Sequence, residues 1–421
     1  PIHNLITFDK NEEKLLLDLL DTKEMQRLRH IKQLGFSSYT YPGAEHTRFG
    51  HSLGVTHLTK RFITKITSLK NTGFEAQLQE LNDNKIIMLA AALLHDVGHG
   101  PFSHALEAIT HVSHEKWTTA IITGPTEINQ VLTSYGIAPK EIAEIIGRTH
   151  KSAVMVKLLS SQLDADRTDY LIRDSMMTGA GYGHFDLEWL INVLRVGCVN
   201  GQFEVGLDRE KGISIAEDYV LARYYMYQNV YFHKTTRSAE VMMKQAFQYS
   251  IKHGIEIPES LKVIIEKGVT NETLPEYLRL NENLFWNLIE EWGYHQDKYI
   301  SNLCQGIMFR KLYKVLPEPV DLLKVVPKAS KWARENGCEV DHILLRDTPS
   351  TSSYKDPYLL PIPEDKGEER EASEQIFLFD RKGNPIELAN ASSVINELRI
   401  RKIYRERYYV PPNLRTFFEE D

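Results

Sequence analysis

"IIMLAAALLHDVGHGPFSH", residues 86–104, joins an apolar run to a segment rich in histidine. The apolar part predicts a helix that is buried on most sides, and His95 and Asp96 stand at its end. A carboxylate at such a position is costly unless it is paired or bound to a metal. Gly98 and Pro101 then break the helix and open the backbone beside the pair. The stretch therefore predicts half of a metal site within a helical fold.

The histidines of the chain crowd into this region. Five of the 16 lie within residues 95–114, namely His95, His99, His104, His111 and His114. A single buried histidine is usually an ordinary core residue, but five beside an acid favour a functional cluster. Imidazole and carboxylate together suit Zn, Fe, Mn, Ni or Mg, and the absence of thiolates argues against a structural zinc finger.

Two further stretches supply the other half of the site. "HTRFGHSLGVTHL", residues 46–58, contains His46, His51, His57 and Arg48. "SSQLDADRTDYLIRD", residues 160–174, contains Asp164, Asp166, Asp169 and Asp174. If this second stretch is helical, Asp166, Tyr170 and Asp174 share one face over about 12 Å, roughly the reach from a reactive phosphate to the far edge of a sugar. Asp164 and Asp169 fit an ordinary solvated acidic face.

The remaining pattern predicts a mainly α fold with a helical core, a small β-hairpin and a smaller C-terminal α+β region. Helical spacing covers residues 11–35, with Gly35 as the C-terminal cap, and continues over 216–252 and 281–315. Asn200-Gly201 between alternating strands predicts the hairpin. We expect a catalytic core over residues 1–315 and a regulatory or oligomerisation region over 316–421, with a polar, Pro-rich loop around 348–375.

The composition and the net charge limit the kinds of partner that we expect for the chain. The chain has 421 residues, of which 42% are hydrophobic and 25% charged, as is typical of a globular protein with a large core. A net charge of −7 gives no global attraction to nucleic acid or to an anionic membrane. No apolar run approaches the roughly 20 residues of a transmembrane helix, and the N-terminal residues lack a signal-peptide layout. Three distant cysteines predict no disulfide framework, and we expect a cytoplasmic protein.

Four of these residues resemble the signature of the HD-domain phosphohydrolase superfamily: His51, the His95-Asp96 pair and Asp166. The longer strings "QRLRHIKQLG", "YPGAEHTRFGHSLG", "HDVGHGPFSH" and "DRTDYLIRD" resemble its deoxynucleoside triphosphate triphosphohydrolase branch, which includes bacterial dGTP-activated enzymes and relatives that restrict vertebrate retroviruses. This resemblance covers roughly residues 1–315. It implies an HD-domain helical core and homotetramers that cleave dNTPs to deoxynucleoside and inorganic triphosphate.

The resemblance also implies a role for each matching residue. The ligands of a divalent metal (Mg, Mn, Zn, Fe or Ni) would be His51, His95, Asp96 and Asp166. The catalytic residues would be Asp166 with His99, His104 and His114, and either His104 or His114 would protonate the leaving 5′ oxygen. The triphosphate would be held by Arg48, Tyr170, Arg223 and Lys234. The sugar would be held, and a 2′-OH excluded, by Gln33, Leu34, Asp174 and Tyr231.

An allosteric site for dGTP or GTP follows from the same resemblance. Asp21, Gln26 and Arg29 would read the guanine, since a carboxylate accepts from N1 and N2 while arginine donates to O6 or N7. The effector phosphates would be held between subunits by Arg209, Lys211, His233, Arg310 and Lys314. Because such a polyanion needs several chains, effector binding and tetramer assembly would be linked.

Two other functions stay open at this point. The chain could be another HD-domain phosphohydrolase, acting on cyclic nucleotides, 5′-nucleotides or alarmones, or a nucleotide sensor without catalysis. The first gives no reason for the Gln33 and Asp174 sugar pair. The second would need a lost metal ligand, whereas all four are present in the sequence.

Overall fold

The computed structural model describes residues 2–102, 104–352, 354, 375–399 and 402–419, and in them the chain is mainly α, as predicted. The helices of the first half are α1 (Lys14–Leu20), α2 (Lys23–Arg27), α3 (Arg48–Thr67), α4 (Glu75–Asp83), α5 (Lys85–Leu94), α6 (His104–Thr110), α7 (His114–Thr123), α8 (Glu127–Ser134), α9 (Pro139–Ile146), α10 (Ala153–Leu159), α11 (Ala165–Thr178) and α12 (Leu187–Asn192). Those of the second half are α13 (Ile213–Met226), α14 (Lys234–His253), α15 (Glu259–Lys267), α16 (Leu274–Leu278), α17 (Glu282–Gly293), α18 (Lys298–Met308), α19 (Leu322–Glu335), α20 (Leu388–Ala391), α21 (Ser393–Arg399) and α22 (Arg415–Glu419).

Strands are short and belong to small sheets. They are β1 (Leu194–Val199), β2 (Gln202–Asp208), β3 (Lys314–Val315), β4 (Leu345–Asp347), β5 (Ser350–Ser352), β6 (Phe377–Phe379), β7 (Pro385–Glu387), β8 (Lys402–Tyr404) and β9 (Arg407–Val410). The predicted hairpin is confirmed, because β1 and β2 pair antiparallel around Asn200 and Gly201. Both turn residues have positive φ, at 52° and 79°, which Asn-Gly tolerates.

Helix α5 is the centre of the core. Its residues from Met88 to Leu94 are fully buried, as its apolar sequence predicts. Helix α3 packs against α5 on one side and against α11 on the other. The three helices therefore carry the predicted metal ligands toward one another.

Residues 11–35 differ from the single helix predicted for them. The structure divides the stretch into α1, α2 and a 3₁₀ turn over Leu28–His30. The chain leaves the helix at Thr22, whose backbone is extended and whose hydroxyl donates to the carbonyl of Leu19 at 2.7 Å. Gly35 does not cap this helix but begins a second 3₁₀ turn, Gly35–Tyr39, with a φ of 47°.

The helical prediction for residues 216–252 holds with one interruption. A π-helical turn, Tyr227–Tyr231, separates α13 from α14. Such turns widen a helix locally and often occur at functional sites. Here the turn directs Tyr227 and Tyr231 toward a cavity described below.

Some C-terminal residues form a hydrophobic cluster of their own, and others join the sheet of β1 and β2. One small hydrophobic cluster is built from C-terminal residues such as Leu316, Val325 and Tyr408. Strand β6, in contrast, pairs parallel with β2, and β7 extends the same sheet. The division at residue 315 therefore stays a prediction, and the predicted Pro-rich loop falls largely outside the described residues. Among the described helices, none is long and apolar enough to cross a membrane.

Candidate active site

Helices α3, α5 and α11 bring the four predicted metal ligands together. His51 Nε2 lies 3.1 Å from Asp166 Oδ1 and 3.3 Å from His95 Nε2. His95 and Asp96 follow the end of α5, and the carboxylate oxygens of Asp96 lie 3.4 Å from His95 Nε2 and 3.7 Å from His51 Nε2. The side chain of Asp166 is 31% exposed, whereas that of His51 is only 1% exposed. The cluster is thus buried with one open side.

A second layer of residues fixes how the histidines point. Asp169, which is fully buried, accepts hydrogen bonds from His51 Nδ1 at 2.8 Å, His3 Nε2 at 2.5 Å and Arg173 Nε at 2.7 Å. His95 Nδ1 lies 2.8 Å from the carbonyl oxygen of Ala92. Since both Nδ1 atoms are engaged, both Nε2 atoms face the cluster, which is the arrangement typical of metal-binding histidines.

Gly54 leaves room for this second layer. A Cβ at this position would lie 1.8 Å from Asp169 Oδ1 and 2.5 Å from Arg173 Nη2. Only glycine therefore allows α3 to approach α11 closely enough for His51 and Asp169 to meet.

The electrostatics of the cluster favour a cation. Burial opposes protonation of His51, but hydrogen bonds to Asp166 and Asp169 raise its pKa to about 10. Burial likewise opposes ionisation of Asp96 and Asp166. The charge of His95 nevertheless holds the pKa of Asp96 well below its usual range, and hydrogen bonds from His51 and His95 lower that of Asp166. The carboxylates stay ionised and draw positive charge to the point where the donor atoms meet.

The donor atoms fit a divalent metal ion. Metal–ligand bonds of about 2.1 Å place adjacent ligands of an octahedral ion about 3.0 Å apart. His51 Nε2 lies 3.1 Å from Asp166 Oδ1 and 3.7 Å from Asp96 Oδ2, and these two separations come close to that geometry. His51, His95 and Asp96 also form a group whose ligand atoms all lie within 4.8 Å of one another.

A second imidazole group adjoins the metal ligands. His99 Nε2 lies 3.3 Å from Asp96 Oδ1, and the His99 ring stacks on that of His114 with centroids 3.7 Å apart. Burial and the nearby Arg48 charge hold the pKa of His99 well below its usual value, so this imidazole is neutral. Glu107 bonds His114 Nδ1. The side chain of His104, the other predicted proton donor, lies outside the described part of the structure.

A cavity of about 230 Å³ opens beside the cluster. Six of the predicted substrate residues line it, namely Gln33, Leu34, Arg48, Tyr170, Asp174 and Tyr231. Arg48 connects the cavity to the cluster, because its Nη1 lies 2.5 Å from Asp96 Oδ2. Aromatic residues of the lining include Phe36, Phe102 and Tyr227.

Asp174 is clamped inside this cavity. His46 Nε2 lies 2.8 Å from one carboxylate oxygen, and the Tyr231 hydroxyl donates to the other at 2.8 Å. The side-chain oxygen of Gln33 is buried and has no hydrogen-bond partner among the described residues. The cavity therefore offers a fixed acceptor and an unused amide on neighbouring walls.

Two predicted triphosphate residues lie outside this lining. Arg223 is buried, and its Nη1 donates to Gln162 Oε1 at 3.3 Å. Its charge lies close enough to Tyr170 to oppose the rise that burial causes in the pKa of that tyrosine. Lys234 is exposed at the start of α14.

The predicted effector residues are spread over the surface. Gln26 and Arg29 are in contact, since Arg29 Nε donates to Gln26 Oε1 at 2.8 Å. The Arg29 guanidinium also lies 3.6 Å from the centre of the Phe49 ring. The other residues of this set lie just before α2 (Asp21), between β2 and α13 (Arg209 and Lys211), just before α14 (His233) and after α18 (Arg310 and Lys314).

Part of the site was not predicted from the sequence. Asp164 and Asp169 were expected on a solvated face, but both are fully buried. Asp164 caps α11 by accepting from Arg167 N at 2.6 Å. The spacing of Asp169 and Arg173, four residues apart, is the signal that could have revealed their ion pair. No sequence signal connects His3 to this region, 166 residues from Asp169.

Comparison with known proteins agrees with this geometry. The chain matches the HD domain family over residues 48–174 and the HD associated region over residues 186–273. It is 35% identical to the uncharacterized protein YwfO of Bacillus subtilis, over 98% of this chain and 92% of that protein. It is 26% identical to the deoxynucleoside triphosphate triphosphohydrolase SAMHD1 of Bos taurus, over 78% of this chain and 59% of that protein.

Solved structures show the same fold. A phosphohydrolase from Bacteroides thetaiotaomicron superposes with a TM-score of 0.77 at 27% identity, covering 97% of each chain. A hypothetical protein from Aquifex aeolicus gives a TM-score of 0.73 at 25% identity, covering 99% of this chain and 97% of that one. The likeness thus extends beyond the HD domain to nearly the whole chain.

Proposed function

Since the chain belongs to the HD-domain phosphohydrolase family, we propose that it hydrolyses dNTPs to the deoxynucleoside and inorganic triphosphate. The carrying observation is the cavity in which the clamped Asp174 and the half-buried Gln33 stand beside Arg48, which touches the metal cluster. A site of this kind can hold a sugar hydroxyl and a phosphate at once. The SAMHD1 relatives, which are named for this reaction, support the choice.

His51, His95, Asp96 and Asp166 would hold a divalent ion, whose identity among Mg, Mn, Zn, Fe and Ni stays open. Such an ion supplies positive charge to phosphate oxygens and lowers the pKa of water toward neutrality. Asp169 keeps His51 oriented for this task through the hydrogen bond at Nδ1.

The residues around the ion would bind the triphosphate. Arg48 and Tyr170 face the cavity, and the neutral His99 can donate to a phosphate oxygen without carrying charge. Glu107 holds His114 at Nδ1, so a proton on His114 Nε2 is directed away from Glu107 and could pass to the leaving 5′ oxygen. His104 stays the other candidate for this proton transfer, with Arg223 and Lys234 as further phosphate ligands.

Selection of deoxyribose would come from the clamp. Asp174 accepts the 3′ hydroxyl while Gln33 completes the hydrogen bonding. Leu34 and Tyr231 stand in the same cavity, where their bulk would leave no space for a 2′ hydroxyl.

Activation would come from a guanine nucleotide. dGTP or GTP would bind Asp21, Gln26 and Arg29, and basic residues of neighbouring subunits would complete the site in a homotetramer. Exposure of Asp21 and Arg29 in the single chain is compatible with a site that is finished by another copy.

A product assay tests the proposal. dTTP is incubated with Mg²⁺ or Mn²⁺, with and without dGTP, and inorganic triphosphate is separated from pyrophosphate and phosphate. Triphosphate that appears only with dGTP supports both reaction and effector. Triphosphate without any dGTP dependence removes the effector proposal, and its absence from a metal-loaded protein favours another HD-domain phosphohydrolase activity.

A further inference from the structure

One wall of the cavity has no role in the proposed reaction. Thr236, Arg237 and Glu240 line it, and all three belong to α14. Helix α14 packs against α18, α6 and the 3₁₀ turn Gly35–Tyr39, whereas Arg48 and Asp174 stand on α3 and α11. The cavity therefore has one wall from the helices of the metal cluster and another from α14.

The proposed function, on which this inference rests, assigns the phosphates and the sugar but not the base. Arg48 and Tyr170 would take the phosphates, and Asp174 with Gln33 would take the sugar. The base must occupy the remaining part of the cavity. That part combines aromatic rings, from Phe36, Phe102 and Phe232, with the polar groups of α14.

The polar groups of α14 offer the hydrogen bonding that a base requires. The Arg237 guanidinium only donates, the Glu240 carboxylate accepts, and a threonine hydroxyl does either. Base edges present donors beside acceptors in patterns that differ among the four bases. Thr236 is buried, and its hydroxyl oxygen has no hydrogen-bond partner among the described residues. A buried hydroxyl without a partner is costly unless a ligand satisfies it.

The C-terminal region fixes this wall in place. Arg237 donates to both carboxylate oxygens of Asp347 on β4, from Nε at 2.9 Å and from Nη2 at 2.5 Å. Asp347 is buried, with a side-chain exposure of 6%. A two-pronged bond of this kind sets the plane of the guanidinium, and Arg237 Nη1 also donates to Glu240.

We propose that Thr236, Arg237 and Glu240 read the nucleobase edge of the substrate, and that Asp347 acts as the positioning residue for Arg237. The α14 wall thus sets the preference among dNTPs, while the metal cluster performs the reaction on all of them.

The first test uses Thr236→Val, which removes the hydroxyl and keeps the shape. The ratios of kcat/KM among dATP, dCTP, dGTP and dTTP are measured, with the effector at saturation. We expect at least one ratio to change by about 5-fold, as for the loss of one hydrogen bond. Thr59→Val is the matched control, because Thr59 is equally buried, has an equally unpartnered hydroxyl among the described residues, and stands outside the cavity lining.

The second test uses Glu240→Gln, compared with Glu276→Gln. Glu276 also pairs with an arginine three residues away, Arg279, on a helix outside the lining of this cavity. Glu240→Gln should change the ratios among the bases, and Glu276→Gln should leave them within about twofold. Asp347→Asn should change the same ratios, mainly through KM, while metal content stays as in the parent protein.

The outcomes separate this inference from the proposed function. One outcome is that the parent protein releases triphosphate while the ratios among the bases stay unchanged in Thr236→Val, Glu240→Gln and Asp347→Asn. That result overturns the proposal that α14 reads the base and leaves the proposed function standing. Parent protein that releases no triphosphate from any dNTP removes both. A uniform fall in kcat for all four bases would also contradict base reading and point to a structural role.

Discussion

The metal cluster and the predicted effector residues differ in how their side chains are held. His51 and Asp96 are buried between helices from distant parts of the sequence, and Asp169 holds His51 from behind. Asp21 and Arg29 are exposed, and Arg29 contacts Gln26 and the ring of Phe49. A site completed within one chain shows its geometry in that chain, whereas a site shared by several chains does not. The predictions below test that difference.

Asp166→Ala should have the largest effect, because it removes a ligand from the open side of the cluster. We expect loss of bound metal and a fall in turnover of more than about 100-fold, beyond what a change behind the ligands causes. Metal content and triphosphate release are measured together. Asp218→Ala, at an exposed position of α13, is the control. Retained metal and activity in Asp166→Ala would refute the site.

Asp169→Asn should come next. It keeps the size of the side chain but weakens the orientation of His51 and leaves Arg173 without its full partner. Metal affinity should fall by about 10- to 100-fold. Titration with a competing chelator measures the affinity, and unchanged affinity would show that Asp169 serves the fold alone.

Gly54→Ala should destabilise the chain by about 3 kcal/mol, toward the upper end of overpacking effects. The added Cβ would meet Asp169 Oδ1 at 1.8 Å. Gly50→Ala is the control on the same helix, since its Cβ would lie 3.5 Å from Arg173 Nη1 and helix propensity favours alanine by up to about 1 kcal/mol. Thermal unfolding compares the two, and equal melting temperatures would contradict the close approach of α3 and α11.

Glu282 gives a predicted change in stability of about 2–3 kcal/mol between pH 5 and pH 8. Burial raises its pKa to about 7, although the backbone of Lys32 donates to it at 2.8 Å. The folded state therefore holds a proton that the unfolded state releases near pH 4.5, so stability falls as pH rises through about 7. Glu282→Gln should remove this loss. Unfolding at pH 5 and pH 8 should show a gap between the proteins that widens at pH 8, and a constant gap would exclude the effect.

Arg29→Ala should have the smallest effect on the chain itself. It removes one surface hydrogen bond and one ring contact, a change of about 1 kcal/mol or less. The ratio of rates with and without dGTP should nevertheless fall toward one. Lys10→Ala, at an exposed position before α1, is the control, and an unchanged ratio in Arg29→Ala would exclude this residue from effector binding.

The sequence predicted what depends on local pattern. The apolar run of α5, the His95-Asp96 pair, the Asn200-Gly201 turn and the common face of Tyr170 and Asp174 follow from periodicity and residue chemistry. The fold class is confirmed for the same reason. The histidine cluster by itself predicted half of a metal site, and the full set of proposed ligands came from the resemblance of His51, the His95-Asp96 pair and Asp166 to the HD-domain signature.

What the sequence did not predict depends on long-range contact. The spacing of Asp169 and Arg173 signals a local ion pair, but the burial of Asp169 comes with contacts to His3 and His51, which are far away in the sequence. The break at Thr22 depends on how α1 and α2 pack, which overrides a continuous helical pattern. Arg237 and Asp347 are 110 residues apart, so their pairing becomes visible only in the folded chain.

The bond between His3 and Asp169 has a consequence for the order of events during synthesis. His3 leaves the ribosome 166 residues before its partner. Closing a loop of that length is costly in entropy and needs the intervening helices to be in place. The N-terminal segment is therefore set against α11 late, after the core helices have formed. Replacing His3 would therefore alter how firmly a metal is retained, because Asp169 in turn orients His51.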